Sequence, residues 1–288
     1  MSDNFCKISI GTAQFGMDYG ISNNNGKVSK AEAHNILRYA SEVGIQSIDT
    51  AKNYGDSEKI IGDYIKSNTK FNWKISTKIA NADQTLVDCL ESSSKNLSST
   101  PNILLAHNHI LYKSNNFQSQ IINLRKSFPK VKIGVSVYTE EDINSVLKSR
   151  HLPEVIQLPI NILDTTLLLN GIISELKEKN IEVHARSIFL QGLFFLKRES
   201  IKKKFSDAYP VIQELQHLTK EYNITISELS LIWVNSISEI KKIIIGIDHV
   251  DQLKNNIKTL GKKIESDLLE KVLEIKYNNK DILNPQNW

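Results

Sequence analysis

Short apolar runs alternate along most of the chain with longer segments in which apolar residues recur at helical spacing. Runs of strand character fall at 7–10, 47–50, 74–79, 103–107, 131–137, 155–158, 181–186 and 242–247. Between them, 31–43 places Ala33, Ile36, Leu37 and Ala40 on one helical face, and 58–65 and 85–97 behave likewise. Thr139 followed by Glu140, Glu141 and Asp142 reads as an N-cap and the acidic first turn of a helix. The most regular amphipathic segment is 206–223, and a second helix is predicted over 227–236. Glu58 is expected to support the first turn of its own helix.

Eight strand–helix alternations within 288 residues, with no linker and no low-complexity stretch, predict an α/β fold. The expected architecture is one domain over 1–288, a single (β/α)8 TIM barrel with a C-terminal helix and tail. A doubly wound sheet is the rival, yet no Gly-x-Gly-x-x-Gly turn follows the first strand. Two segments exceed the barrel's minimum. One is 191–205, expected to be a long loop after the seventh strand; the other is 268–288, a helix plus tail. Folded back to the rim, both would govern substrate access.

Composition narrows the function classes. Hydrophobic content of 40% and charged content of 24% are those of a soluble globular protein. The net charge of +4 is mild and the lysines are spread over helix faces, so no nucleic-acid partner is expected. Lys202, Lys203 and Lys204 form the one run, read as a solvated helix or loop end. The two cysteines, Cys6 and Cys89, have neither disulfide-framework nor metal-ligand spacing, which points to reduced thiols. There is no signal-peptide pattern at the N-terminus and no apolar run near the roughly 18 residues of a membrane span. A cytoplasmic protein with no membrane partner is the expectation.

The candidate chemistry lies at strand ends. Asp49, Lys78 and His107 sit at or just after the C-terminal ends of successive predicted strands, and Tyr54 follows Asp49 by one turn's length. In a parallel barrel those ends converge on the rim where such folds do chemistry. A free phenol, with a pKa of about 10, is a poor acid at neutral pH. A lysine cation about 4 Å from a phenolate favours it by on the order of 4 kcal/mol at an effective dielectric of about 20. A carboxylate beside that lysine keeps it charged against burial. Such a tyrosine can protonate a carbonyl oxygen, and a histidine can orient it. None of these groups is a nucleophile, so a hydride must come from a bound cofactor.

The chain resembles the aldo-keto reductases over nearly its whole length. Ile10-Gly11-Thr12-Ala13-Gln14-Phe15-Gly16 is similar to the family's first-strand turn. Ile48-Asp49-Thr50-Ala51 with Tyr54-Gly55, Thr77-Lys78 and Leu104-Leu105-Ala106-His107 match its signature segments. The resemblance implies Tyr54 as catalytic acid, Lys78 and Asp49 as its tuning pair, and His107 as the carbonyl-orienting residue. It further implies NADPH as cofactor, with NADH as the alternative, and a small-molecule carbonyl substrate. The opening through Asp18-Tyr19-Gly20-Ile21 resembles a bacterial branch associated with surface-sugar pathways, which suggests a keto-sugar or sugar aldehyde and a place in carbohydrate metabolism.

By the same resemblance the cofactor contacts fall at Gly11, Thr12, Ser136, Gln157, Arg186, Ser187, Gln191, Gly192, Gly246, Asp248, Gln252, Asn255 and Asn256. Gly134-Val135-Ser136 is followed by Val137 where relatives carry an asparagine, and Arg186 stands where many carry an aromatic that stacks on the nicotinamide. The helix start after Ile247 suits a phosphate. The usual basic reader of a 2′-phosphate is replaced by Gly246, Asp248 and Gln252, with Lys254 or Lys202 to Lys204 as compensating cations. Tyr19, Trp73, Phe189 and Phe194 are candidate pocket aromatics.

Two other readings compete. A barrel that binds nicotinamide for regulation or scaffolding would turn over weakly. A metal-dependent hydrolase using His107 and His109 would need further ligands, and His184 and Asp248 do not complete a set, so no metal is expected.

Overall fold

The structure, a computed structural model, describes residues 5–81, 83–262 and 264–288. Eight strands carry the fold: β1 (Ile8–Gly11), β2 (Ser47–Asp49), β3 (Lys74–Ile79), β4 (Ile103–Ala106), β5 (Lys132–Ser136), β6 (Val155–Pro159), β7 (Glu182–Arg186) and β8 (Ile240–Gly246). Each pairs in parallel with its sequence neighbour, and β1 also pairs with β8, which closes the barrel. The predicted runs and the observed strands coincide to within one or two residues at each end.

Strand residues point alternately inward and outward. The outward row, including Ile10, Ile48, Ile75, Leu104, Val135, Ile156, Val183 and Ile245, packs with Ile36, Leu37, Leu90, Leu124 and Leu176 of the surrounding helices in one buried core. The inward row mixes apolar residues such as Leu105 and Val155 with many polar ones. Ser47 donates to Ser9 at 3.0 Å, Lys132 pairs with Glu182 at 2.6 Å, and Gln157 reaches Asp49 at 2.8 Å. The barrel's oily layer therefore lies between sheet and helices, and its axis is lined with hydrogen-bonding groups.

Helix ends follow the sequence signals. Ser29 and Thr85 cap the helices Lys30–Glu42 and Leu86–Leu97 by accepting from Glu32 N–H and Asp88 N–H. Thr139 and Thr225 form capping boxes with Asp142 and Glu228. The segment 191–205 is not the open loop expected. It contains a 3-10 turn, Leu190–Phe195, and a helix, Arg198–Lys204, because Phe194, Ile201 and Phe205 are spaced to bury one face. Lys202, Lys203 and Lys204 make that helix's exposed last turn. The C-terminal region has a helix, Ser266–Glu274, a short helix, Lys280–Leu283, and a final turn. It folds back so that the Trp288 ring packs 4.8 Å from Phe205.

Glu58 does stand in the first turn of Ser57–Ser67, but its carboxylate works at longer range. It is buried and accepts from Thr77 Oγ1 at 2.8 Å and from Asn96 Nδ2 at 3.1 Å, tying its helix to β3 and to Leu86–Leu97. Glu58→Ala strands both donors and is expected to lower unfolding free energy by about 1–3 kcal/mol. Urea denaturation checks this; an unchanged midpoint would mean water satisfies them.

Candidate active site

The inward row brings five polar side chains together at the C-terminal mouth: Asp49, Lys78, Ser136, Gln157 and Arg186. Lys78 is 1% exposed, and its Nζ lies 2.5 Å from Asp49 Oδ2 and 3.0 Å from the Thr50 carbonyl. Gln157 Nε2 donates to the other Asp49 oxygen, Oδ1, at 2.8 Å. Burial alone would lower the Lys78 pKa; the Asp49 carboxylate and the nearby Tyr54 outweigh it and hold the lysine above its ordinary value. Lys78 is therefore charged at neutral pH.

Tyr54 stands on the loop between β2 and Ser57–Ser67, half-buried, with Lys78 Nζ 5.2 Å from its ring centroid. His107 faces the same ring edge-on, centroids 6.3 Å apart and planes at 90°. Two glycines set where this loop lies. A Cβ on Gly16 would fall 1.7 Å from the Tyr54 carbonyl oxygen, and one on Gly55 would fall 2.2 Å from the Gly16 oxygen. Backbone thus lies directly on backbone, which fixes the tyrosine loop against the turn after β1. Ser57 adds hydrogen bonds of 3.0 Å to Thr12 O and 2.9 Å to Thr12 Oγ1. It carried no sequence signal beyond its place after the Tyr54 segment.

Asp49, Tyr54, Lys78 and His107 are thus brought together as the order of strands requires. Burial, then the cations Lys78 and Arg186, push His107 down to about 4, so its imidazole is neutral at pH 7. Its Nδ1 is buried and makes no hydrogen bond within the chain. Tyr19 leans over the mouth with its ring partly exposed; Gln191 Nε2 donates to its hydroxyl at 3.0 Å. Burial of that hydroxyl end, with Tyr54 near it, pushes Tyr19 up to about 12.

The remaining expected contacts divide between the mouth and the protein's own framework. Thr12 is fully buried and donates to the Asp49 carbonyl at 2.9 Å. Gly11 and Gly246 pair across β1 and β8, and a Cβ on Gly246 would meet Gln14 Nε2 at 2.4 Å. Arg186 donates to Ser136 Oγ at 3.3 Å, Ser187 Oγ at 3.2 Å and the Val137 carbonyl at 2.9 Å, and its guanidinium lies 4.0 Å over the Tyr138 ring. Gln191 accepts from Ile21 N–H through its backbone, and Gly192 abuts Ser22, so the loop after β7 is docked on the loop after β1. Trp73 lies before the first residue of β3, away from the mouth, packed on Phe71 and Tyr64.

At the helix Val250–Leu260 the surroundings are acidic. Val250 N–H donates to Glu32 Oε1 at 2.7 Å, Asp248 N–H donates to Gln252 Oε1 at 2.8 Å, and Lys254 pairs with Asp251 at 2.9 Å. Asp248 Oδ1 is buried without a hydrogen bond, and burial raises its carboxyl pKa. Asn255 is exposed and Asn256 half-buried on the same helix.

His109 does not join His107. Its Nδ1 lies 2.9 Å from Asp142 Oδ1, which links the turn after β4 to the helix after β5. Among the described residues no group of three or more His, Cys, Asp or Glu is arranged to hold a metal ion.

The profile of the Aldo/keto reductase family matches residues 7–276, and the chain belongs to that family. It is an aldo-keto reductase, a carbonyl oxidoreductase of a class that acts on small molecules with nicotinamide cofactors. Two solved structures share the fold. AKR11C1 of Bacillus halodurans, in its holo form, superposes with a TM-score of 0.74 at 16% identity, over 94% of this chain and 92% of its own. PA4992 of Pseudomonas aeruginosa, assigned as an aldo-keto reductase, gives 0.63 at 17% identity, over 88% of this chain and 89% of its own. No curated protein sequence matches. No described helix is long and apolar enough to cross a membrane.

The lowered His107 pKa has a consequence for stability. Folding favours the neutral imidazole, so its contribution is complete above the unfolded value near 6.5 and is lost as pH falls toward about 4. Buried His184, also lowered, acts in the same sense. His107→Gln is expected to flatten part of the loss of stability between those limits, measured by urea unfolding across pH. NMR titration giving His107 an ordinary pKa would contradict this.

Proposed function

We propose that the protein reduces an aldehyde or ketone to the alcohol, with Tyr54 as proton donor and a keto-sugar or sugar aldehyde as substrate. The observation that carries this is the buried, charged Lys78–Asp49 pair set beside a tyrosine and a neutral histidine at the barrel mouth. The nicotinamide cofactor, when bound, supplies the hydride to the carbonyl carbon. Tyr54 gives its phenolic proton to the carbonyl oxygen, and solvent replaces it. Lys78 stabilises the negative charge that develops on the phenolic oxygen, and Asp49 with Gln157 holds the lysine in place. His107, neutral, offers an N–H to the carbonyl oxygen without competing as a charged acid.

The residues at the mouth suit a nicotinamide cofactor. The buried unpartnered Asp248 Oδ1 fits a ribose hydroxyl. With Glu32 and Asp248 close by and Lys254 matched by Asp251, this end is hostile to a second phosphate, which favours NADH over the family's usual NADPH. Gly11, Ser136, Ser187, Gln191 and Gly246 are the residues this reading assigns to the path between the two ends, while Arg186, bonded to Ser136 and Ser187, is left facing the substrate side. The reading further places one catalytic domain over 1–288 in the cytoplasm, where Cys6 and Cys89 stay free thiols.

Tyr54→Phe is expected to lower turnover by about a hundredfold or more, the usual weight of a general acid, with nucleotide affinity little changed. Wild-type activity in that variant would sink the assignment. Fluorescence titration is expected to show NADH binding more tightly than NADPH; the reverse order would reject the role given to Asp248.

A further inference from the structure

Arg186 is a cation without a carboxylate. Among the described residues none lies within ion-pair distance of it, whereas Lys78 at the same mouth is neutralised by Asp49. Its three hydrogen bonds go to uncharged acceptors, Ser136 Oγ, Ser187 Oγ and the Val137 carbonyl. A guanidinium has five N–H groups, so two remain, one on each terminal nitrogen. The side chain leaves β7 and bonds to the end of β5, so it spans the end of β6, a reach of about 10 Å across two strand spacings. It therefore lies across the mouth beside Gln157 rather than out in solvent. Tyr138 covers one of its faces and holds the plane fixed.

A held, planar, partly buried guanidinium with two unused N–H groups and no counter-ion is a receptor for a planar anion. We propose that Arg186 forms an anion subsite and that the substrate is a carbonyl compound carrying a carboxylate, of which an acidic sugar is the form consistent with the substrate class above. The inference rests on the reading of the mouth as the carbonyl-reducing site. Arg186 binds the carboxylate through its terminal N–H groups and thereby sets the carbonyl carbon toward Tyr54 and His107. Selectivity follows because a neutral analogue leaves the guanidinium's charge unmatched.

The test compares 4-carboxybenzaldehyde with methyl 4-formylbenzoate, a matched pair differing in that charge, and titrates the cofactor-loaded protein with benzoate, benzamide and inorganic phosphate. Wild-type protein is expected to favour the acid by roughly tenfold or more in kcat/KM and to bind benzoate in preference to the other two. Arg186→Met should bring the acid-to-ester ratio to about one and abolish benzoate binding, while Arg186→Lys keeps part of both. Reduction of the ester by wild type with no preference for the acid overturns the subsite and leaves carbonyl reduction standing. Arg186-dependent benzoate binding without oxidation of nucleotide by either aldehyde overturns the reading of function and leaves the subsite standing. Phosphate competing as well as benzoate overturns the carboxylate assignment. So does an Arg186→Met protein whose nucleotide affinity falls as far as its acid selectivity.

Discussion

Lys78 is a cation with 1% of its surface exposed, and charge at that depth persists only where a fixed counter-charge and hydrogen bonds replace water. Asp49 supplies the charge at 2.5 Å and the Thr50 carbonyl a further acceptor, while Gln157 satisfies the other carboxylate oxygen. These contacts join β2, β3 and β6 across the barrel axis. Removing either charge would leave the other buried and unpaired, a cost of about 3–5 kcal/mol. The barrel interior is built to accept this pair. Its inward row carries many polar residues, so most of the apolar work of folding falls to the outward row and the helices.

That division explains what was legible in the sequence. Outward apolar residues such as Ile48, Ile75 and Leu104 mark strands by themselves, and the polar residues Asp49, Lys78 and His107 at or near the ends of three runs mark the rim. Asp49, Lys78 and His107 were visible for this reason. The helix start at Thr139 was equally readable, because a cap and its partner lie three residues apart, whereas the later helix, expected from 227, starts at Ile226 behind the Thr225 cap. Contacts between distant segments were not. Nothing local shows that Gly16 must lack a side chain to admit the Tyr54 carbonyl, or that Glu32 reaches Val250 N–H across 218 residues. Trp73 was a poor candidate for a pocket aromatic even from the sequence, since it precedes the strand whose far end carries Lys78; the structure packs it on Phe71 and Tyr64 instead. The segment after β7 looked like a loop because its buried Phe194, Ile201 and Phe205 are few and spread among lysines.

The arrangement of charge separates the mouth into two regions. Around Tyr54 the net balance is cationic: Lys78 is neutralised by Asp49, Arg186 is not, and His107 is kept neutral by burial and by both cations. At the start of Val250–Leu260 it is anionic, with Glu32 and Asp248, while Asp251 is matched by Lys254. Electrostatics therefore bear on both ligands of a reductase. On the proposed reading a carbonyl substrate would meet positive potential where its oxygen gains charge, and the far end of the cofactor would meet carboxylates.

The central claim is that the Lys78-centred constellation makes this barrel a carbonyl reductase. Steady-state oxidation of NADH and NADPH with a panel of aldehydes and ketones, on wild type and on folded Lys78→Met, tests it most directly. The account predicts carbonyl-dependent oxidation by wild type and loss of nearly all of it in the variant, with nucleotide still bound. Nucleotide binding without turnover by wild type, or equal turnover by the variant, would contradict it.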